Sequence, residues 1–384
     1  MKRRKIVALF LLVSTLLLLA GCGQSGRKGS AGADAWTGYS ADRQGWIALT
    51  DTAYLFYAPE WGGIEGLSPE LSEPPTVMCA RANCNHLDSD CSAYLPSETL
   101  YISGWNNRVY YITWGSDGNS TGLYSMAPGG EDRRLERAMP ELDVASGSMS
   151  YHYTAGEGYL ILSMVKVEEG VPSCQVRLYS LDDAQTEPIV IFSTDDINTQ
   201  ILYKMWVMDG WAIFSTTTWI NQANGEAESC LYGYQIDTGE TVPLVEGWEN
   251  RNSLVVQNGM LYWSAINKGI FSLNLKDGTT TEYATFAEDT QGSQGYDDQC
   301  IYFSYTGENP RLEVCDYQGN QVMEFPFDSG DQVPRYYFCC EDKSFFSYSG
   351  NLSIDDYALP VCYLNKADLA KGTAEFVYLD ELWN

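Results

Sequence analysis

Three cysteines and a histidine crowd the span 79–91 as Cys79-x4-Cys84-x-His86-x4-Cys91. Three thiolates and an imidazole are the donor set that tetrahedral zinc takes in a closed structural site. Four protein ligands leave no open position for substrate, so a catalytic metal is the poorest fit. The same thiols admit a second chemistry: one disulfide, Cys84–Cys91 or Cys79–Cys84, with the third cysteine paired elsewhere or free. The spacing is not that of a common zinc finger, and both chemistries stay open. The segment carries Asn83, Asn85, Asp88, Ser89 and Asp90. It has too little apolar surface to order itself without a covalent or metal tie.

Acid–base and nucleophilic chemistry has less to build on. The chain holds only two histidines, His86 and His152, and no Gly-x-Ser-x-Gly elbow, so a Ser-His-Asp mechanism finds few parts. His152 stands between Tyr151 and Tyr153 and reads as a packed strand residue. Neighbouring carboxylates occur at Asp195-Asp196, Glu288-Asp289 and Asp297-Asp298, as expected by chance among 51 acidic residues. Two of them facing each other across a cleft would suit glycoside cleavage. Ser116-Asp117-Gly118-Asn119 lacks the remaining ligands of a calcium loop, and no phosphate-cradling loop is present. Cys300 and Cys315 flank a hairpin at Gly307-Glu308-Asn309 and read as two buried thiols or a cross-strand bridge. Adjacent Cys339 and Cys340 point to opposite faces of a strand.

The elements that must position these residues repeat every 40–55 residues or so, a period of propeller blades. Aromatic second strands read Tyr54-Leu55-Phe56-Tyr57, Val109-Tyr110-Tyr111-Ile112, Tyr159-Leu160-Ile161-Leu162, Trp211-Ala212-Ile213-Phe214, Leu261-Tyr262-Trp263, Ile301-Tyr302-Phe303 and Ser344-Phe345-Phe346. Third strands follow, from Leu123-Tyr124-Ser125-Met126 to Val361-Cys362-Tyr363-Leu364. Asn106-Asn107, Asp209-Gly210 and Asn258-Gly259 tolerate positive φ and close tight hairpins. The expected fold is all-β: one propeller of seven four-stranded blades over 41–384. Loops between second and third strands share a face with the loops between blades. That face would gather Trp61, Trp114, Trp219 and Trp263 with Asp195 and Asp289. Such a set grips a sugar or a cationic ligand, or else divides into blade-packing aromatics and solvated acids.

The amino end carries Lys2, Arg3, Arg4 and Lys5, then an apolar run from Ile6 to Ala20 that is short for a spanning helix. Leu19-Ala20-Gly21-Cys22 resembles the lipobox of bacterial lipoproteins. The resemblance implies cleavage before Cys22 and acylation of its thiol, so that residues 1–21 are a signal peptide. Gly23 to Ser40, rich in Gly, Ser and Ala, reads with Cys22 as a flexible tether (22–40). The net charge is −28, and loss of the basic amino end makes it more acidic still. Such a charge repels phosphate backbones, which excludes nucleic acid as a partner and favours cations. Eleven cysteines are compatible with an extracytoplasmic address, which permits disulfides without requiring them.

Third strands such as Leu231-Tyr232-Gly233-Tyr234, leading into the turn Asp237-Thr238-Gly239-Glu240, resemble those of propeller lipoproteins from Gram-positive, largely gut-dwelling bacteria. The layout also looks like the wider TolB-like and PQQ-type repeat propellers. The Cys-x4-Cys-x-His-x4-Cys-x-Ala-Tyr run is similar to one in the same lipoproteins. The resemblance implies a scaffold that serves binders and occasional enzymes alike. The expectation is therefore a lipoprotein held at the outer face of the cell membrane by Cys22 acyl chains. Its propeller would bind a protein, glycan or cationic ligand without catalysis, with no cofactor required unless the Cys/His set holds structural zinc rather than a disulfide. The alternative is a surface hydrolase or lyase acting on glycans.

Overall fold

The computed structural model describes residues 47–58, 61–86, 90–95, 101–113, 121–142, 150–168, 171–183, 185–249, 253–265, 268–285, 292–348 and 359–383. Cys22, Trp114 and Asp289 lie outside them, as do residues 1–21 and 22–40, which the sequence reads as signal peptide and tether. The described strands form seven four-stranded antiparallel sheets, each from four strands consecutive in sequence. Together they make a seven-bladed β-propeller, and all seven second strands fall where the aromatic runs place them.

Blade one comprises β1 (Ile47–Leu49), β2 (Tyr54–Ala58), β3 (Gly63–Leu67) and β4 (Thr76–Val77). Blade two comprises β5 (Ser103–Trp105), β6 (Arg108–Thr113), β7 (Gly122–Met126) and β8 (Arg134–Ala138). Blade three has β9 (Ser150–Gly156), β10 (Tyr159–Glu168), β11 (Val171–Ser180) and β12 (Ile189–Thr194). Blade four has β13 (Thr199–Met208), β14 (Trp211–Asn221), β15 (Glu226–Gln235) and β16 (Glu240–Glu246). Blades five to seven run from Ser253 to Thr285, Gly292 to Pro326 and Arg335 to Tyr378.

Alternation along the strands assigns each blade two apolar faces, one for each neighbour. In blade four, Ile213 joins the core shared with blade five, whereas Ala212 and Phe214 join that shared with blade three. The hairpins between first and second strands turn through Asn106 and Asn107, at φ 47° and 56°, and through Asp209-Gly210 and Asn258-Gly259. These turns also link neighbouring blades. The Glu157 carboxylate accepts the Asp209 and Gly210 amides at 2.6 and 2.9 Å, and Asp209 accepts the Gly259 amide at 2.9 Å.

In blades three and four, the turn after the third strand or the start of the fourth strand leans on the outer strand of the blade before it. Arg137 of β8 donates to the Thr186 carbonyl in blade three at 2.8 Å, and Thr241 of blade four donates to the Ile191 carbonyl at 2.7 Å.

The ring closes without strand exchange. Blades one and seven share an apolar cluster that includes Ile47, Phe56 and Leu71 on one side and Tyr337, Phe338 and Phe345 on the other. Each such side chain contributes about 1.5–3 kcal/mol on burial, so this interface holds the two ends of the ring together by packing. Trp383 adds a hydrogen bond from its indole N–H to the Leu71 carbonyl at 3.1 Å.

Candidate metal centre

Blade one has an outer strand of only two residues, because that strand is interrupted. Val77 pairs with Glu65, and the Met78 amide donates to the Ile64 carbonyl at 3.0 Å. The next register position, opposite Gly63, is taken by Tyr94. The Ile64 amide donates to the Ala93 carbonyl and the Leu95 amide to the Gly62 carbonyl, at 3.0 and 2.7 Å. Residues 79–93 are thus an excursion from the fourth strand, which resumes where it left off.

Cys79 stands at the exit of the excursion and Cys91 just before its return. Cys84 and His86 come from its middle, where Asn83 and His86 adopt positive φ of 60° and 57°. The four ligand atoms lie within 4.8 Å of one another, with Nδ1 of His86 3.4 Å from Sγ of Cys91. Tetrahedral coordination at Zn–S of about 2.3 Å separates sulfurs by about 3.8 Å, so side-chain adjustment alone reaches that geometry. All described cysteines carry free thiols.

The electrostatics favour a dication. Cys79 works against its desolvation through hydrogen bonds from the Ser92 hydroxyl and the Arg81 and Ser92 amides, which pull its thiol down to about 5. Burial pushes the Cys91 thiol up to about 11, with the neighbouring Cys79 and Cys84 sulfurs adding to the rise. A first thiolate therefore forms readily and opposes the next. A bound cation removes that opposition, and its binding displaces the remaining protons.

Groups outside the donor set fix the neck. The Arg81 amide lies 3.4 Å from Cys79 Sγ. The single Ser92 hydroxyl proton is placed between Cys79 Sγ at 3.3 Å and the Gly129 carbonyl at 3.0 Å. The Ala80 amide is shared by Ser92 Oγ and the Gly129 carbonyl, at 2.9 and 3.1 Å. Arg133 donates to the Ser92 carbonyl at 2.7 Å and also to that of Tyr94. Gly129, Gly130 and Arg133 belong to the β7–β8 connection of blade two, so the excursion takes the place of the outer strand on which that turn would otherwise lean. Gly130 has φ +80°, and a Cβ there would meet the Ser92 carbonyl at 1.8 Å. None of these supporters carries a sequence signature beyond the Gly129-Gly130 turn.

The loop-face residues do not form one described cluster. Trp61 donates from its indole to Glu65 at 3.3 Å within blade one. Asp195 is exposed, and Trp219 is half-buried with its amide on the Asn198 carbonyl at 3.0 Å. Trp263 is 6% exposed and stacks on Phe271 at 5.3 Å, so it belongs to the core between blades. His152 is half-buried, with Nδ1 2.8 Å from the Tyr101 hydroxyl.

Comparison with family models and with curated proteins finds no match to this sequence. Among solved structures, the chain is similar to a prolyl endopeptidase with a TM-score of 0.52 and 11% identity. That match covers 89% of this chain and 50% of the endopeptidase, so the chain spans half the length of that protein. BamB from Moraxella catarrhalis gives a TM-score of 0.42 and 11% identity over 81% of this chain and 82% of its own. An oligogalacturonate lyase in complex with manganese gives 0.28 and 12% over 66% and 82%. The class, a β-propeller, is defined by the chain's own seven four-stranded blades. Among the described residues, no helix is long and apolar enough to cross a membrane.

Proposed function

We propose that the protein is a lipid-anchored extracytoplasmic propeller that binds a ligand or a protein without chemical turnover, and that zinc tied by Cys79, Cys84, His86 and Cys91 is its structural cofactor. The observation that carries this reading is the closed donor set. Four protein ligands saturate a tetrahedral ion and sit at the neck of a strand interruption, where a tie maintains shape. The two histidines support it: one belongs to the donor set, and the other is held against Tyr101.

Anchoring rests on Leu19-Ala20-Gly21-Cys22 and the basic-apolar run before it. Two lipid chains on Cys22 give stable attachment where a single chain gives only marginal binding. The acidic body stays clear of anionic lipid and favours cationic or neutral partners.

Cell fractionation tests the address: Cys22→Ser should release the protein from membranes or leave it unprocessed. Normal cleavage with unchanged membrane retention would overturn the anchor. Metal analysis on protein purified without reductant tests the cofactor, with one zinc per chain expected. Three reactive thiols at Cys79, Cys84 and Cys91 with no metal would overturn it.

A further inference from the structure

A half-open cavity of about 250 Å³ lies between blades three and four, with His152, Ser163, Val165 and Cys174 on one wall and Gln200 and Ile201 on the other. Register explains why the first four converge. Ser163 is directly opposite His152 on β9, and Val165 is directly opposite Cys174 on β11. Ser163, Val165 and Cys174 continue the face on which Ile161 and Val176 meet Phe214 of blade four, while His152 borders the space with its Nδ1 against the Tyr101 hydroxyl at 2.8 Å.

The cavity also has a cause. Deeper between the blades, Met205 and Val207 of β13 fill the interface. Above them β13 bulges: its pairing with β14 slips between Ile201 and Met205. A bulge bends the strand and redirects its side chains, and such irregularities favour functional sites. Here it leaves space where the other side of the interface is packed.

The wall chemistry limits the occupant. Among the described lining residues none is a carboxylate, ammonium or guanidinium. Burial lowers the basicity of His152 and raises the pKa of Cys174, whose thiol donates to the Thr199 carbonyl at 3.2 Å. Both are neutral near pH 7, so neither a thiolate nucleophile nor an imidazolium is available there. None of these described lining residues offers a counter-charge to an ion that loses its water there. A neutral molecule with hydroxyl groups meets the polar groups of Ser163 and Gln200, and Val165 and Ile201 on its C–H face. The space equals about eight waters, which is the scale of one sugar ring.

We propose that this inter-blade cavity is a binding site for a neutral polyhydroxylated ring, a single sugar residue or cyclic polyol. The proposal deepens the non-enzymatic binding reading and rests on it. Cys174 makes the site testable in the detergent-solubilised full chain, because its alkylation by iodoacetamide can be followed by peptide mass spectrometry. D-galactose, N-acetyl-D-glucosamine and myo-inositol are the probes, each also titrated calorimetrically. At least one should bind and slow Cys174 alkylation fivefold or more. Cys174→Leu and Ser163→Leu, which fill the cavity, should each abolish calorimetric binding while the β-sheet circular dichroism is retained.

If no probe binds at millimolar concentration, the cavity holds solvent only and the proposal falls. Binding that leaves Cys174 alkylation and the Leu variants unaffected places the ligand elsewhere; it overturns this site and leaves the binding reading standing. Release of new reducing ends from an oligosaccharide of the binding sugar, abolished by the Leu variants, would overturn the non-enzymatic reading and leave the site.

Discussion

Cys79 and Cys91 hold the two sides of one neck, so they matter more to blade one than Cys84, which comes from the middle of the excursion. If the proposed zinc tie holds, replacing either by Ser should abolish metal binding and loosen residues 79–93 together with the β7–β8 turn that leans on them. Hydrogen exchange read by mass spectrometry should show faster exchange at Ala80 and in the 127–133 segment, with the other blades unchanged. Equal exchange in variant and parent would show that the neck needs no tie. Gly130 gives an independent check at the same contact. Gly130→Ala combines φ +80° with a Cβ 1.8 Å from the Ser92 carbonyl, and should destabilise the chain by roughly 2 kcal/mol or more in urea unfolding. A cost below about 0.5 kcal/mol would mean that the turn moves freely off the excursion.

Within the elements, two polar groups carry measurable costs. Asp297 is 0% exposed in the first turn of blade six. It accepts the Gln299 and Cys300 amides and the Tyr302 and Ser344 hydroxyls at 2.8, 2.6, 2.5 and 2.5 Å. Asp297→Ala removes the acceptor of the buried Cys300 amide and Ser344 hydroxyl, while Tyr302 keeps Ser344 Oγ at 3.0 Å, and should cost roughly 3 kcal/mol, which chemical denaturation would measure. His152 instead is stabilising only while neutral. Burial lowers its pKa below the usual 6.5, so the unfolded chain takes up that proton first as pH falls. Its contribution is complete above pH 6.5 and is lost as pH drops through its own lower value. His152→Gln should flatten the fall in melting temperature below pH 6.5; an unchanged slope would assign the acid sensitivity to other groups.

Sequence alone made these elements legible to different degrees. The second strands were readable because aromatic and β-branched runs recur between turn residues that accept positive φ. The Cys/His set was readable because its donors are close in sequence. The interruption of the outer strand was not: it depends on Tyr94 taking the register opposite Gly63, just past Met78, a pairing decided in space. The site residues Ser163 and Cys174 were equally hidden, since only strand register and the β13 bulge bring them together. Trp263 shows the reverse error, because a second-strand exit and a core position carry the same aromatic signal.

Across the whole molecule, seven blades of consecutive strands make a ring whose closure rests on packing between blades one and seven. The manner of closure was beyond the sequence, because apolar side chains on first and last strands look like those on any others. Trp383 couples the last helical turn to Leu71, so Trp383→Ala should lower the melting temperature of the whole ring in a single transition. Two separated transitions would show that blade seven unfolds apart from the rest. Zinc X-ray absorption on the native protein reads out whether a structural metal ties the interrupted outer strand. The expected result is one zinc with three sulfurs at about 2.3 Å and one nitrogen at about 2.0 Å. An oxygen-dominated shell, or zinc-free protein with a disulfide among Cys79, Cys84 and Cys91, would contradict the metal tie.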